Sequence, residues 1–137
     1  DRMHVFFPAG HALTVSRQPT LKGLARYPHI VTSPGTSVRE ALHRALEDGG
    51  LDIEVACEVA YLSTAIGMVR AGLGIAILPL STLSAASCQG LEHRPVANAH
   101  LRRRLGLITA KRKTPSPAAR AFIAALQAAR ISRPCGT

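Results

Sequence analysis

Two short hydroxyl-rich segments carry the side chains best suited to chemistry in this chain of 137 residues. One runs from Ser33 through Pro34, Gly35 and Thr36 to Ser37, the other from Ala60 to Thr64. Each follows an apolar run and leads into a helical pattern. The stretch Pro79 to Ser81 ends a third apolar run. Where a helix begins, unpaired backbone N–H groups and the positive end of the helix dipole coincide. Small hydroxylated loops at such points suit recognition of an anion. Ser37 and Thr64 also fit plain helix capping, and capping does not exclude ligand contact. Arg39 either adds charge to this site or faces solvent, the commoner outcome on a first helical turn.

Other chemistry is poorly supplied. There is no Ser/His/Asp set, no pair of carboxylates at the loop ends and no phosphate loop, so catalysis is not expected. His11 and Ser33 are isolated groups. The six histidines are scattered and suggest no metal site, and no cofactor is expected. Cys57, Cys88 and Cys135 are odd in number and form no CxxC pair, which argues for a reducing compartment. No apolar run approaches the roughly 20 residues of a membrane span. No apolar segment follows a basic start, so no secretory leader is read, and the expected location is the cytoplasm.

The elements that must position these loops are legible by pattern. Met3 to Phe7 predicts a strand with Met3, Val5 and Phe7 on one face. Thr20 caps a short helix through Arg26, and His29 to Thr32 is a second strand. The next helix opens with a capping box of Ser37 and Glu40, Thr36 being the alternative cap. Its apolar stripe is Val38, Ala41, Leu42, Ala45 and Leu46. A strand over Ile53 to Val59 leads to a helix opened by Ser63 or Thr64. In that helix Ala65, Ile66, Val69 and Leu73 recur at helical spacing, and Gly72 stops it. Ile75 to Leu78 reads as a strand covered on both faces. A short helix then runs to about Ala86, Ser87 to Gly90 forms a spacer, and Glu92 to Val96 is a further strand. Leu105 to Ala110 reads as another strand. Ser116 caps a last helix with Pro117 in its first position and Ala118, Ala121, Phe122, Ala125, Leu126 and Ala129 inward. Alternating strands and helices predict a mainly parallel sheet with helices on both faces. Ligands of such sheets bind beyond the carboxyl ends of the strands, where the hydroxyl-rich loops fall.

Thr64 to Pro79 (TAIGMVRAGLGIAILP) resembles a signature of the effector-binding domain of LysR-type transcriptional regulators. Met3 to Leu13 is similar to that family's crossing strand, and Leu21 to Ile30 to its next helix and strand. Ser33 to Arg39, Arg104 to Lys113 and Ser116 to Phe122 continue the likeness in the family's order. The resemblance implies an α/β lobe of the type II periplasmic-binding-protein kind, plus a remnant of the first lobe. Residues 1–100 then form the second lobe and residues 101–137 the closing strand and helix of the first. It implies effector contacts at Ser33, Gly35, Thr36, Ser37, Tyr61, Ser63, Thr64 and Pro79. The implied partners are a small, anionic effector, further copies of the parent protein, and DNA only through a helix-turn-helix absent from this chain. The chain is then a fragment of a longer protein or the product of a truncated gene. The alternative is the ligand-binding lobe of a transporter's solute-binding protein, against which the closeness of the regulator motifs counts.

The net charge of +9 is lopsided, with no acidic residue after Glu92. No aromatic residue interleaves Arg102 to Arg104 or Lys111 to Lys113, so these runs read as a solvated rim rather than a nucleic-acid surface.

Overall fold

Strand β1 (Met3–Pro8) runs through the centre of the fold because both its faces are apolar. Met3, Val5 and Phe7 lie on one face and Phe6 on the other, and all four are buried. The structure, a computed structural model, describes residues 1–82, 89–98, 100–103, 105–110 and 114–128. Strands β4 (Ala76–Pro79) and β5 (Leu91–Pro95) flank β1, both antiparallel to it. Strand β2 (His29–Thr32) pairs in parallel with β3 (Val55–Val59), Thr32 opposite Val59. One parallel bridge, His29 to Ile75, joins the two ladders. Ile30 N–H donates to Ile75 O at 2.8 Å and Ile75 N–H to Pro28 O at 2.9 Å. Across that bridge the order is β3-β2-β4-β1-β5.

The α/β class holds, while the sheet is mixed rather than mainly parallel. The reason lies in the connections. Helix crossovers join β2 to β3 and β3 to β4, and a helix crossover imposes parallel pairing. The antiparallel pairs are those of β1 with β4 and of β1 with β5.

Helix α1 (Leu21–Leu24) is capped by Thr20, whose Oγ1 accepts from Gly23 N–H. It stops short of Arg26 because Tyr27 precedes Pro28, and the residue before proline is driven out of helical geometry. Helix α2 (Ser37–Asp48) buries the whole predicted stripe, each leucine of which contributes about 1.5–3 kcal/mol. Helix α3 (Leu62–Arg70) buries Ala65, Ile66 and Val69. Leu73 does not join them: it lies past the helix and is half exposed. It serves the helix end instead. Gly72 takes φ +78°, its N–H donates to Val69 O, and Leu73 N–H donates to Met68 O. Those two bonds close the terminal carbonyls in a Schellman motif, as predicted for Gly72.

The last elements depart from expectation. Leu105 to Ala110 forms no strand, and Ile108 is 95% exposed. Helix α4 (Pro117–Ala128) forms with Ser116 Oγ accepting from Ala119 N–H, yet buries none of its described residues. Phe122 and Leu126 are exposed. An amphipathic pattern predicts burial only where a counterpart exists, and no described element covers this stripe. Of the short helix expected after Pro79, Leu80–Thr82 is a 3-10 turn. Residues 83–88 and Ala129 lie outside the described residues.

A pair of histidines sits across β1 and β5. His4 Nδ1 lies 3.1 Å from His93 Nδ1, so one neutral ring donates to the other. Burial, then the charge of His93, then that of Arg2 lower the His4 pKa to about 4. Burial, then Arg94, lowers that of His93. Burial also lowers that of His29, partly offset by its 2.8 Å bond to Tyr27 O. A histidine with a depressed folded-state pKa binds its proton less readily than the unfolded chain does. Its stabilisation is complete above the unfolded value of 6.5 and is lost as pH falls towards 4. Melting temperature is therefore expected to drop across that window. His4→Gln, which cannot titrate, should drop less, and an unchanged acid slope in that variant would assign the loss to other groups.

Candidate functional site

The parallel strands set the site's position. Ser33 N–H donates to Val59 O at 3.0 Å, so the loops after β2 and β3 leave the sheet side by side. The parallel bridge to Ile75 brings the carboxyl end of β4, at Pro79, to the same edge. The three predicted loop ends are thus neighbours in space.

Ser33 to Ser37 makes a tight turn. Gly35 adopts φ +79°, and a Cβ there would meet no other atom within 4 Å, so the constraint is conformational. Thr36, not Ser37, is the cap of α2: its Oγ1 accepts from Arg39 N–H at 3.2 Å. The same hydroxyl donates to Ser33 O at 3.0 Å and lies 2.9 Å from Thr32 Oγ1. Thr36 is thereby committed to the loop. Ser37, one residue on, is exposed in the first helical position. Beyond Thr36 the amides of Ser37 and Val38 have no partner among the described residues. Thr36→Ala is expected to cost about 1–2 kcal/mol of stability. Ser37→Ala should stay within about 0.5 kcal/mol. Urea unfolding of the two variants checks this, and equal losses would return the cap to Ser37.

The second loop is more open. Helix α3 begins two residues before Thr64, with Tyr61 as its cap and no side-chain capping bond. Tyr61, Ser63 and Thr64 are exposed. The amides of Leu62, Ser63 and Thr64 are uncapped, leaving the hydroxyls free for other work. Pro79 is fully buried and pairs with Met3, so it closes the floor of this edge. His11, the isolated imidazole, has a local role: its Nδ1 accepts from Leu13 N–H, and its ring packs on Phe7 and Tyr27.

Arg39 is the residue that sequence reasoning undervalued. It is partly buried rather than turned to solvent, and its Nη1 is buried with no hydrogen-bond partner. It lines a cavity of about 270 Å³ with Pro34, Gly35, Glu40 and His43. Tyr61, Ser63 and Thr64 do not line this cavity, which lies on the α2 side of the loops. One signal was available in the sequence. A cation on a first helical turn opposes the helix dipole, an arrangement that an anion relieves. His43 is directed elsewhere, 3.5 Å from Glu47. No group of three or more metal-binding side chains occurs among the described residues. No helix among them is long and apolar enough to cross a membrane.

A mixed sheet flanked by helices, with hydroxyl-bearing loops at one edge, defines an α/β lobe. The chain belongs to the LysR substrate binding domain family, whose model matches residues 1–130. It is an effector-sensing, non-catalytic domain of that kind. It is 32% identical over 116 residues to the uncharacterized HTH-type transcriptional regulator YbhD of Escherichia coli, covering 85% of this chain and 37% of that protein. The regulatory domain of CcmR from Synechocystis, solved in complex with 2-PG, shares the fold: TM-score 0.77 at 20% identity, over 93% of this chain and 62% of that one. The BenM effector binding domain with its effector benzoate superposes at TM-score 0.60 and 25% identity, over 72% of this chain and 46% of that one. The chain thus spans well under half the length of the curated relatives it matches.

Proposed function

We propose that this domain senses a small organic anion, a carboxylate or phosphate ester, at the loop edge of β2 and β3, for a cytoplasmic transcriptional regulator. Residues 1–100 act as the second lobe, and residues 101–137 contribute the closing strand and helix of the first. DNA is read by a helix-turn-helix outside these residues. Copies of the parent associate through the β3 edge, where Val55 is exposed, and through α3. The effector shifts the lobe or subunit arrangement to the extent that it binds one arrangement better than another.

This reading is supported by two sets of donors without a hydrogen-bond partner: the amides opening α2 and α3 at one sheet edge, and, on the α2 side of the loops, the buried Nη1 of Arg39. Each such donor gains from an anionic acceptor in a way that water alone matches poorly. That benzoate and 2-PG are the ligands of the BenM and CcmR structures supports the chemical class. Ser37, Ser63 and Thr64 supply free hydroxyls, Ser33 and Gly35 shape the loop, Thr36 holds it, and Tyr61 and Pro79 bound the edge.

Calorimetric titration with benzoate, succinate and inorganic phosphate tests the reading. Ser37→Ala and Thr64→Ala should each weaken the anion that binds by about 0.5–1.5 kcal/mol, more if the contact is charge-assisted, without lowering the melting temperature. Unchanged affinity in both folded variants would move the site off these loops.

A further inference from the structure

Strands β1 and β5 bring together two imidazoles that stand 89 residues apart in the chain. In the β1–β5 register Phe6 lies opposite His93 and His4 opposite Pro95. His4, Phe6, His93 and Pro95 therefore share one face of the pair, the face opposite Met3, Val5 and Phe7. The two histidines are diagonal neighbours on it. Their ring centroids are 5.1 Å apart and their Nδ1 atoms 3.1 Å apart. The wholly buried ring of Phe6, with its centroid 5.4 Å from that of His93, supports the pair from the inner side. Both imidazoles are only partly buried, so the pair stands at the surface of the sheet rather than in the core.

The separation of the two nitrogens fits one metal ion. Two nitrogens each about 2.0–2.1 Å from an ion lie about 3.0–3.4 Å apart when the angle at the ion is about 95–110°. Without an ion, one ring donates Nδ1–H to the other. With the donor's proton carried on Nε2 instead, both Nδ1 lone pairs face the ion, and neither ring loses a proton overall. Both rings are neutral, the form that ligates: burial lowers each pKa, and the charges of His93 and Arg2 beside His4, and of Arg94 beside His93, lower it further. The arginines do not close the site to a cation. Arg94 is offset by Glu92 at 2.8 Å, and Arg2 is exposed, where solvent and salt screen it. No third protein ligand stands with the pair among the described residues, so the other positions fall to water or a small anion. Ligands fixed on paired strands are already in place, and little ordering opposes binding.

We propose that His4 and His93 form a two-imidazole site for a divalent late transition metal ion such as Zn²⁺, held through both Nδ1 atoms. Imidazole nitrogen suits such ions. The ion clips β5 to β1 and stabilises the folded chain, because the unfolded chain does not hold the two rings together. The site shares no residue with the loops after β2 and β3 and stands whether or not an anion is sensed there.

The test is titration of the reduced, full chain with Zn²⁺ at neutral pH, read by the imidazole nitrogen signals in NMR and by thermal melts. In the wild type the His4 and His93 rings should shift together and saturate, with Nε2 protonated on both, and the melting temperature should rise. In His4→Gln and in His93→Gln the remaining ring should respond at least about tenfold more weakly, since losing a ligand costs no less than losing a ligand's supporting partner. The rise in melting temperature should shrink in both variants. A purely structural role for the pair would instead change the metal-free melting temperature and leave the zinc-induced rise as it was. An undiminished response of His4 in His93→Gln would assign the ion to a chelate of His4 with the amino terminus, and would overturn the site. Zinc-induced shifts confined to other histidines or to cysteines, or no saturable binding by the wild type, would overturn it as well.

Discussion

Gly74→Ala is expected to lower the unfolding free energy by about 2–4 kcal/mol, enough to remove a large part of the stability of a small domain. Gly74 adopts φ +154°, and a Cβ built there would lie 2.6 Å from the carbonyl oxygen of Pro28. That oxygen accepts from Ile75 N–H at 2.9 Å and is half of the bridge joining the two ladders. Backbone must move on one side or the other, and either movement opens the junction between β2 and β4. Gly67→Ala is the control. Gly67 lies in α3 with open space around its Cβ position, and alanine there should raise stability by up to about 1 kcal/mol through helix propensity. Urea denaturation of the pair gives the contrast. Two variants of equal stability would mean that the close approach at Gly74 is not the constraint described.

Arg39→Met should have the largest effect on ligand affinity, a loss of about 1.5–3 kcal/mol for a carboxylate, while stability stays level or rises. Methionine keeps the apolar stem and removes the charge. In the free protein the guanidinium is a burden, because its Nη1 is buried without a partner and its charge opposes the dipole of α2. Only a bound anion makes it favourable. Calorimetry and thermal melts on the same samples separate the two effects. A variant that loses stability but keeps its affinity would make Arg39 a structural residue.

Much of the scaffold was legible because its signals are local. The stripe of α2, the stop at Gly72 and the cap at Thr20 each depend on residues a few positions apart, and all three stand in the structure. The misreadings share a cause. Thr36 and Ser37 are equally good caps by type, and only the bonds of Thr36 to Thr32 and Ser33 decide between them. Leu73 continues the count of α3 beyond the point where Gly72 has already turned the chain. Ile108 and Phe122 carry correct strand and helix patterns, yet a pattern does not provide the surface to pack on.

The candidate site was legible to a similar degree. Its loops could be named from hydroxyls before helices. Their adjacency could not, since it rests on the pairing of Ser33 with Val59 and of His29 with Ile75. The missing partner of Arg39 and the meeting of His4 with His93 arise only once segments distant in sequence are brought together.

A crystal structure of the chain with benzoate or succinate bound at saturation would show whether a small organic anion is held where the loops after β2 and β3 meet. The carboxylate is expected within hydrogen-bond distance of the amides of Ser37 or Val38, close to Ser63 or Thr64, with Arg39 drawn towards it. A ligand ordered only at other surfaces, with these amides still open to solvent, would contradict that arrangement.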